Sequence, residues 1–228
     1  MPKVSVKLVS WSEIVDWAYN LSKLIESSNF NPDIIVAVAR GGYVPARLLC
    51  DFLGVSDLLS VQSQHWIEAA KVTQKAILRY PYKIDAKNKN ILVVDDIVDT
   101  GETLKLAKEY IAESWNPKDI RTASLQWISS VAKYKPDYYL IEVKDWSWYQ
   151  YPWTRLEDIM EFIERIFKED ERAKKGLDYE ELKSIFIEWY GISDKDLGEY
   201  WNLAFDKLIS KKIIYKNGEK YYYELKRK

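Results

Sequence analysis

Residues 91–102 read ILVVDDIVDTGE. An apolar run ends in two adjacent carboxylates, Asp95 and Asp96, then a third, Asp99, then Thr100, Gly101, Glu102 and Thr103. Carboxylates rarely end a buried strand without partners, so the pair calls for something from outside the chain. Two adjacent acids can accept hydrogen bonds from a diol or hold a hydrated magnesium ion. The loop after them leads into a helix. The N–H groups of a helix start bind phosphate, and two threonine hydroxyls add donors. Diol and phosphate together describe a ribose 5-phosphate. The plainer reading is a solvated acidic turn, against which stand the apolar strand before it and the threonines within it.

A second segment points the same way. PDIIVAVA, residues 32–39, is a continuous apolar run that stops at Arg40, Gly41 and Gly42. Such a run fits a strand buried on both faces, hence a parallel one. Glycine turns thus follow two strands, 32–39 and 90–96. In parallel sheets ligands gather beyond the carboxyl ends of the strands. Arg40, between a buried strand and Gly-Gly, is placed to neutralise phosphate oxygens.

These residues need a frame. Ser10 and Glu13 form a capping-box pattern before a helix to about residue 27, with Ile14, Trp17, Ala18, Leu21 and Leu24 on one face. The strand-like runs at 57–63, 119–128 and 137–143 alternate with helical stretches. The pattern predicts an α/β fold, a parallel sheet flanked by helices. Residues 64–79 fit two amphipathic pieces or a mobile arm. From about 177, after a long charged helix, the pattern changes to helix, helix and a hairpin around Asn217-Gly218, a small winged-helix-like module. Two domains are expected, 1–167 and 168–228.

Composition narrows the classes. The 228 residues carry a formal net charge of -1, so no global basic field draws nucleic acid. Residues 168–228 hold 14 Lys or Arg and 13 Asp or Glu, which weakens a DNA-binding role for the module. Cys50 is the single cysteine, which suits a reducing compartment. No signal-peptide pattern or membrane-length apolar run is found, so a cytoplasmic protein is expected. The 10 Trp and 17 Tyr are first a matter of packing.

The segment VVDDIVDTGET resembles the phosphoribosyl-pyrophosphate (PRPP) motif of type I phosphoribosyltransferases. The resemblance implies that Asp95 and Asp96 hold the ribose hydroxyls. It implies that Asp99, Thr100, Gly101, Glu102 and Thr103 wrap the 5′-phosphate. Asp99 would lie near purine N7 and steer its proton. AVARGG resembles the family's pyrophosphate loop, giving that role to Ala39, Arg40, Gly41 and Gly42, with a peptide before Arg40 that is often strained or cis. Mg2+ is the implied cofactor, with Asp96 as its protein ligand. Residues 64–79 would supply a closing loop, with Lys75 and Arg79 reaching pyrophosphate. Arg40 and Asp99 are the implied catalytic residues, and the family usually forms homodimers.

GGYVPARLL and WYQYPW resemble the xanthine-guanine branch. There Trp148 would stack on the base and the Tyr149 backbone would meet its edge, with Pro152 and Trp153 as the wall. Trp146 and Tyr151 are assigned to packing. Relatives acting on 6-oxopurines carry a lysine on the strand after the PRPP motif, as donor to the 6-oxygen. Here that position falls on Gln126 or Trp127, and Lys133 and Lys135 lie past the strand end. Adenine is therefore the expected base, giving AMP and pyrophosphate. A hypoxanthine, guanine or xanthine enzyme is the alternative. A purine- or PRPP-sensing DNA-binding regulator is the rival class.

Overall fold

The structure, a computed structural model, describes residues 3–67 and 74–224, with the side chains of 64–67 and 74–76 outside the description. In chain order the elements are β1 (Val6–Leu8), α1 (Trp11–Ser27), β2 (Ile34–Ala39), α2 (Tyr43–Leu53), β3 (Asp57–Ile67), β4 (Gln74–Arg79), β5 (Asn90–Val98), α3 (Glu102–Trp115), β6 (Asp119–Ile128), β7 (Tyr138–Val143) and β8 (Trp148–Gln150). They are followed by α4 (Arg155–Glu169), a 3-10 turn (Glu171–Lys175), α5 (Tyr179–Tyr190), α6 (Asp194–Ser210), β9 (Ile214–Asn217) and β10 (Lys220–Tyr223).

The chain forms two compact units, Trp11–Trp146 and a second made of Met1–Ser10 with Ser147–Lys228. The helix expected to close the first domain, α4, thus counts with the second unit.

The first unit holds a six-stranded sheet in the order β4-β3-β2-β5-β6-β7. All neighbours pair parallel except β3 and β4, which are antiparallel. The two central strands, β2 and β5, are the longest apolar runs. Ile35, Val36, Ile91, Leu92, Val93 and Val94 are all fully buried. On one face α3 packs Leu104, Ala107, Ile111 and Trp115 against Val36, Ile91 and Val93. α1 starts directly after Ser10 and buries Ile14, Ala18, Leu21, Ser22 and Ile25. That corrects the expected face at one end: Leu24 is 44% exposed and Ile25 takes its place.

Residues 64–79, read as helical pieces or an arm, are largely strand. β3 runs on to Ile67 and β4 returns antiparallel from Gln74. Trp66, Ile67, Ala76, Ile77 and Leu78 suit extended structure as well as a helix, so periodicity could not decide.

The second unit pairs β1 with β8 in a two-stranded parallel ribbon and joins α4, α5, α6 and the β9–β10 hairpin around one core. α4 presents Ile159, Phe162, Ile163, Ile166 and Phe167 to Phe186, Tyr190, Trp201 and Leu208. α5 begins with a full capping box, Asp178 with Glu181. Gly198 interrupts α6 with φ 49° and ψ -138°. Asn217 pairs with Lys220, so the hairpin turns on Gly218 and Glu219, one residue later than expected.

Candidate active site

Strand alternation governs the carboxylate pair, since successive side chains point to opposite faces. Asp95 turns into a cavity of about 320 Å³, shared with Ile97, Asp99, Thr100, Gly101 and Thr103. Asp96 goes to the other face and is buried against the glycine turn that ends β2. A Cβ on Gly41 would fall 2.4 Å from either Asp96 carboxylate oxygen. A Cβ on Gly42 would fall 2.3 Å from the Val94 carbonyl oxygen. Both glycines are therefore required by the seating of one loop on the end of β5. The Ala39–Arg40 peptide bond is cis, and the Arg40 side chain is exposed.

Main-chain donors steady the acids. The Asp96 N–H donates to the Asp95 carboxylate at 3.0 Å, and the Ile97 N–H to that of Asp96 at 2.9 Å. Burial, and then the neighbouring charge of Asp96, pushes the Asp95 carboxyl well above the usual carboxylate range. A carboxyl in that state ionises readily once a cation or hydroxyl donors face it. Partial burial also raises Asp99.

The loop behind the acids is tightly built. Gly101 has φ 84°, a left-handed conformation that favours glycine, and it caps the N-terminus of α3. The Glu102 N–H donates to the Thr100 hydroxyl at 3.3 Å. The loop after β6 braces this turn. A Cβ on Gly101 would lie 2.6 Å from the Tyr134 Cβ, and the Lys133 N–H donates to the Thr100 carbonyl at 2.9 Å. Nothing in the sequence pattern marked Tyr134.

Sheet register places Arg79. It pairs with Gln62, which pairs with Ala39, so Arg79 stands level with the start of the glycine turn, two strands away. Its guanidinium rests on Tyr80, donating to the hydroxyl at 3.1 Å. The side chain of Lys75 lies outside the described residues.

This arrangement of strands, glycine turn and acidic loop is that of the type I phosphoribosyltransferases, and residues 10–154 match the phosphoribosyl transferase domain. The chain belongs to the phosphoribosyltransferase family. It is 38% identical over 96 residues to the hypoxanthine-guanine phosphoribosyltransferase of Saccharomyces cerevisiae, a match of 35% of this chain and 43% of that enzyme. The chain thus spans less than half of that relative's length. It is 26% identical over 148 residues to the xanthine-guanine phosphoribosyltransferase of Nitratidesulfovibrio vulgaris, covering 64% of this chain and 82% of that one. Among solved structures it is similar to the purine phosphoribosyltransferase of Pyrococcus horikoshii Ot3, with a TM-score of 0.57 and 28% identity over 65% of this chain and 93% of that one.

Within this phosphoribosyltransferase, Gln126 is buried on β6 in register with Ile97. Trp127 is half-buried with its ring 4.9 Å from that of Tyr139. Lys135, expected to fall too late in the chain, folds back: its ammonium lies 4.9 Å from the centre of the Trp127 ring and 5.1 Å from that of Tyr139.

Trp148 and Tyr149 lie on β8, in the second unit. Trp148 is half-buried and meets Phe162 edge to face at 5.4 Å. Tyr149 has its hydroxyl 3.3 Å from the Lys7 ammonium, which donates to it. Tyr151 packs as expected, 2% exposed and stacked on Trp153, whereas Trp146, assigned to packing, is 48% exposed.

Proposed function

We propose that this protein transfers the 5-phosphoribosyl group of PRPP to N9 of a purine base, releasing a nucleoside monophosphate and pyrophosphate, with 6-oxopurines as its substrates. One observation carries the reaction: the cavity where Asp95 stands beside the Asp99–Thr103 turn at the start of α3. It offers acceptors for a diol beside donors for a phosphate. The base class follows the relatives, which are named for hypoxanthine, guanine and xanthine.

Each residue has a task in this reading. Asp95 meets the ribose from the cavity side and Asp96 from the side of the glycine turn. The Thr100, Gly101, Glu102 and Thr103 turn holds the 5′-phosphate. The Ala39–Gly42 turn, with Arg40 and Arg79, holds the pyrophosphate and draws charge onto it as it leaves. Asp99, raised by partial burial, takes the proton lost from the purine. Trp148 and the Tyr149 backbone are the groups this reading gives to the base.

Among the described residues no cluster of three or more acids, histidines or cysteines could hold a metal by itself. Magnesium commonly needs only one or two carboxylates, with phosphate and water oxygens completing its shell. Asp96, seated against the pyrophosphate turn, fits that part, and Mg2+ there would neutralise pyrophosphate charge. We further propose that the protein acts in the cytoplasm as a homodimer.

Adenine is the second reading, favoured by the absence of a lysine at Gln126 and Trp127. A lysine or other donor facing the 6-oxygen rewards a 6-oxopurine, and losing it costs about 1–3 kcal/mol. Lys135 over Trp127 weakens the adenine argument, because the loop returns an ammonium to that part of β6. The test is a rate assay on adenine, hypoxanthine, guanine and xanthine with Mg2+ and PRPP. We expect hypoxanthine, guanine or xanthine to show a kcat/KM at least tenfold above that of adenine, roughly the value of one such hydrogen bond. A clear preference for adenine would overturn the base assignment and leave the PRPP chemistry standing.

A further inference from the structure

The loop between β6 and β7 lies against the acidic turn, and two of its residues tie that turn to the sheet. Asp137 stands at the end of the loop. Its carboxylate accepts from the Thr122 main-chain N–H at 2.8 Å, from the Thr122 hydroxyl at 2.9 Å and from the Lys108 ammonium at 3.1 Å. Burial works against its charge, and the bonds from Lys108 and Thr122 outweigh it, holding the carboxyl below its usual range. Asp137 thereby joins β6 to α3, the helix that starts at the acidic turn.

Tyr134 makes the second tie. Thr122 is fully buried, and its hydroxyl lies 3.1 Å from that of Tyr134. A hydroxyl has one proton to give and two lone pairs with which to accept. The Thr122 proton goes to the Asp137 carboxylate, and one lone pair receives the Asp137 N–H at 3.0 Å. The Tyr134 hydroxyl is therefore the donor and fills the second lone pair. At its other end Tyr134 bears on the turn. A Cβ on Gly101 would lie 2.6 Å from the Tyr134 Cβ and 3.0 Å from its carbonyl oxygen. The adjacent Lys133 N–H donates to the Thr100 carbonyl at 2.9 Å. Tyr134 is a strut: its hydroxyl is fixed to a buried strand and its backbone end rests on Gly101.

We propose that Tyr134 is a positioning residue for the 5′-phosphate of PRPP: anchored through Thr122 and Asp137, it fixes the Thr100–Gly101 turn that holds that phosphate. This deepens the function proposed above and rests on it. A phosphate gripped by several donors needs all of them aimed at one point. A turn that must be ordered as the ligand arrives loses part of the binding free energy to that ordering. Gly101, at φ 84°, has no side chain to restrain its own backbone, so the restraint comes from outside the turn. The effect falls on the 5′-phosphate and not on pyrophosphate. The glycine turn after β2, which this reading gives to pyrophosphate, has separate supports in the Asp96 carboxylate and the Val94 carbonyl.

The test compares Tyr134→Phe with wild type in the full chain. Phenylalanine keeps the ring and removes only the hydroxyl, and Thr122 keeps its bonds to Asp137. Affinities for three probes are measured by titration calorimetry, with Tm alongside. PRPP and ribose 5-phosphate carry a 5′-phosphate, and pyrophosphate does not. Tyr134→Phe is expected to weaken PRPP and ribose 5-phosphate about three- to tenfold, the range for one hydrogen bond, with pyrophosphate within twofold of wild type. If the variant weakens all three probes alike, Tyr134 is scaffold only and the proposal falls. If it binds PRPP and ribose 5-phosphate as wild type does, the positioning role is overturned and the assignment of the turn stands. If wild type itself binds neither of them, the function proposed above is wrong and this role falls with it.

Discussion

Asp95 and Asp96 show how one local rule yields two tasks. Adjacent acids on a strand face opposite ways, so a single dipeptide addresses both the cavity beside the Asp99–Thr103 turn and the glycine turn. Asp95→Asn and Asp96→Asn are expected to fold, because each swap keeps shape and removes charge from a site with surplus negative charge. Each should cut kcat/KM by about a hundredfold or more, in line with losing a charged hydrogen bond made to the reacting sugar. Circular dichroism and steady-state rates check this, and wild-type rates in both variants would remove the ribose assignment. These residues were legible in the sequence because their types break the pattern of a buried strand. Tyr134 was not, because its importance lies in a contact made across 33 residues of chain, with Gly101.

At the scale of elements, strong patterns were read correctly and short ambiguous ones were not. β2 and β5 are unmistakable apolar runs. β4 was missed because its apolar residues satisfy a helical and an extended pattern alike. Helix α4 carries a pH signature. Burial is the main cause that pushes the Asp158 carboxyl up to about 6; its bonds from Thr154 and Trp148 oppose this, and Glu157 and Glu161 add to it. A group raised in the folded state stabilises the fold fully below its unfolded value, near 3.8, and loses that contribution as pH rises through about 6. Asparagine at 158 carries no charge at any of these pH values. The stability of Asp158→Asn relative to wild type should therefore grow between pH 4 and 7, by about 3 kcal/mol at most. Thermal melts of both proteins across that range decide it, and a constant offset would show that Asp158 does not titrate there.

At the scale of the molecule, the C-terminal helices α5 and α6 share one core with α4 inside the second unit. The sequence suggested a winged-helix-like module by its order of helices and hairpin, and that order is present. α6 carries Asp194, Asp196, Glu199 and Asp206 against Lys195 and Lys207. Electrostatic attraction supplies most non-specific DNA affinity, so a mixed or acidic helix gains little of it. The apolar face of α4 explains what the helices do. Phe162, Ile163, Ile166 and Phe167 are each less than 10% exposed, and their neighbours in the core come largely from α5 and α6. Deleting residues 177–228 would bare that face, at about 1.5–3 kcal/mol for each large side chain returned to water. Several such losses approach the whole stability of an ordinary domain, roughly 5–15 kcal/mol. The truncated protein is expected to be insoluble or to melt far below wild type, and the full chain should give no salt-dependent shift of duplex DNA in a gel. A truncated protein that stays soluble with an unchanged melting temperature would show that α5 and α6 do not support α4. The module would then have to be explained by binding to something else.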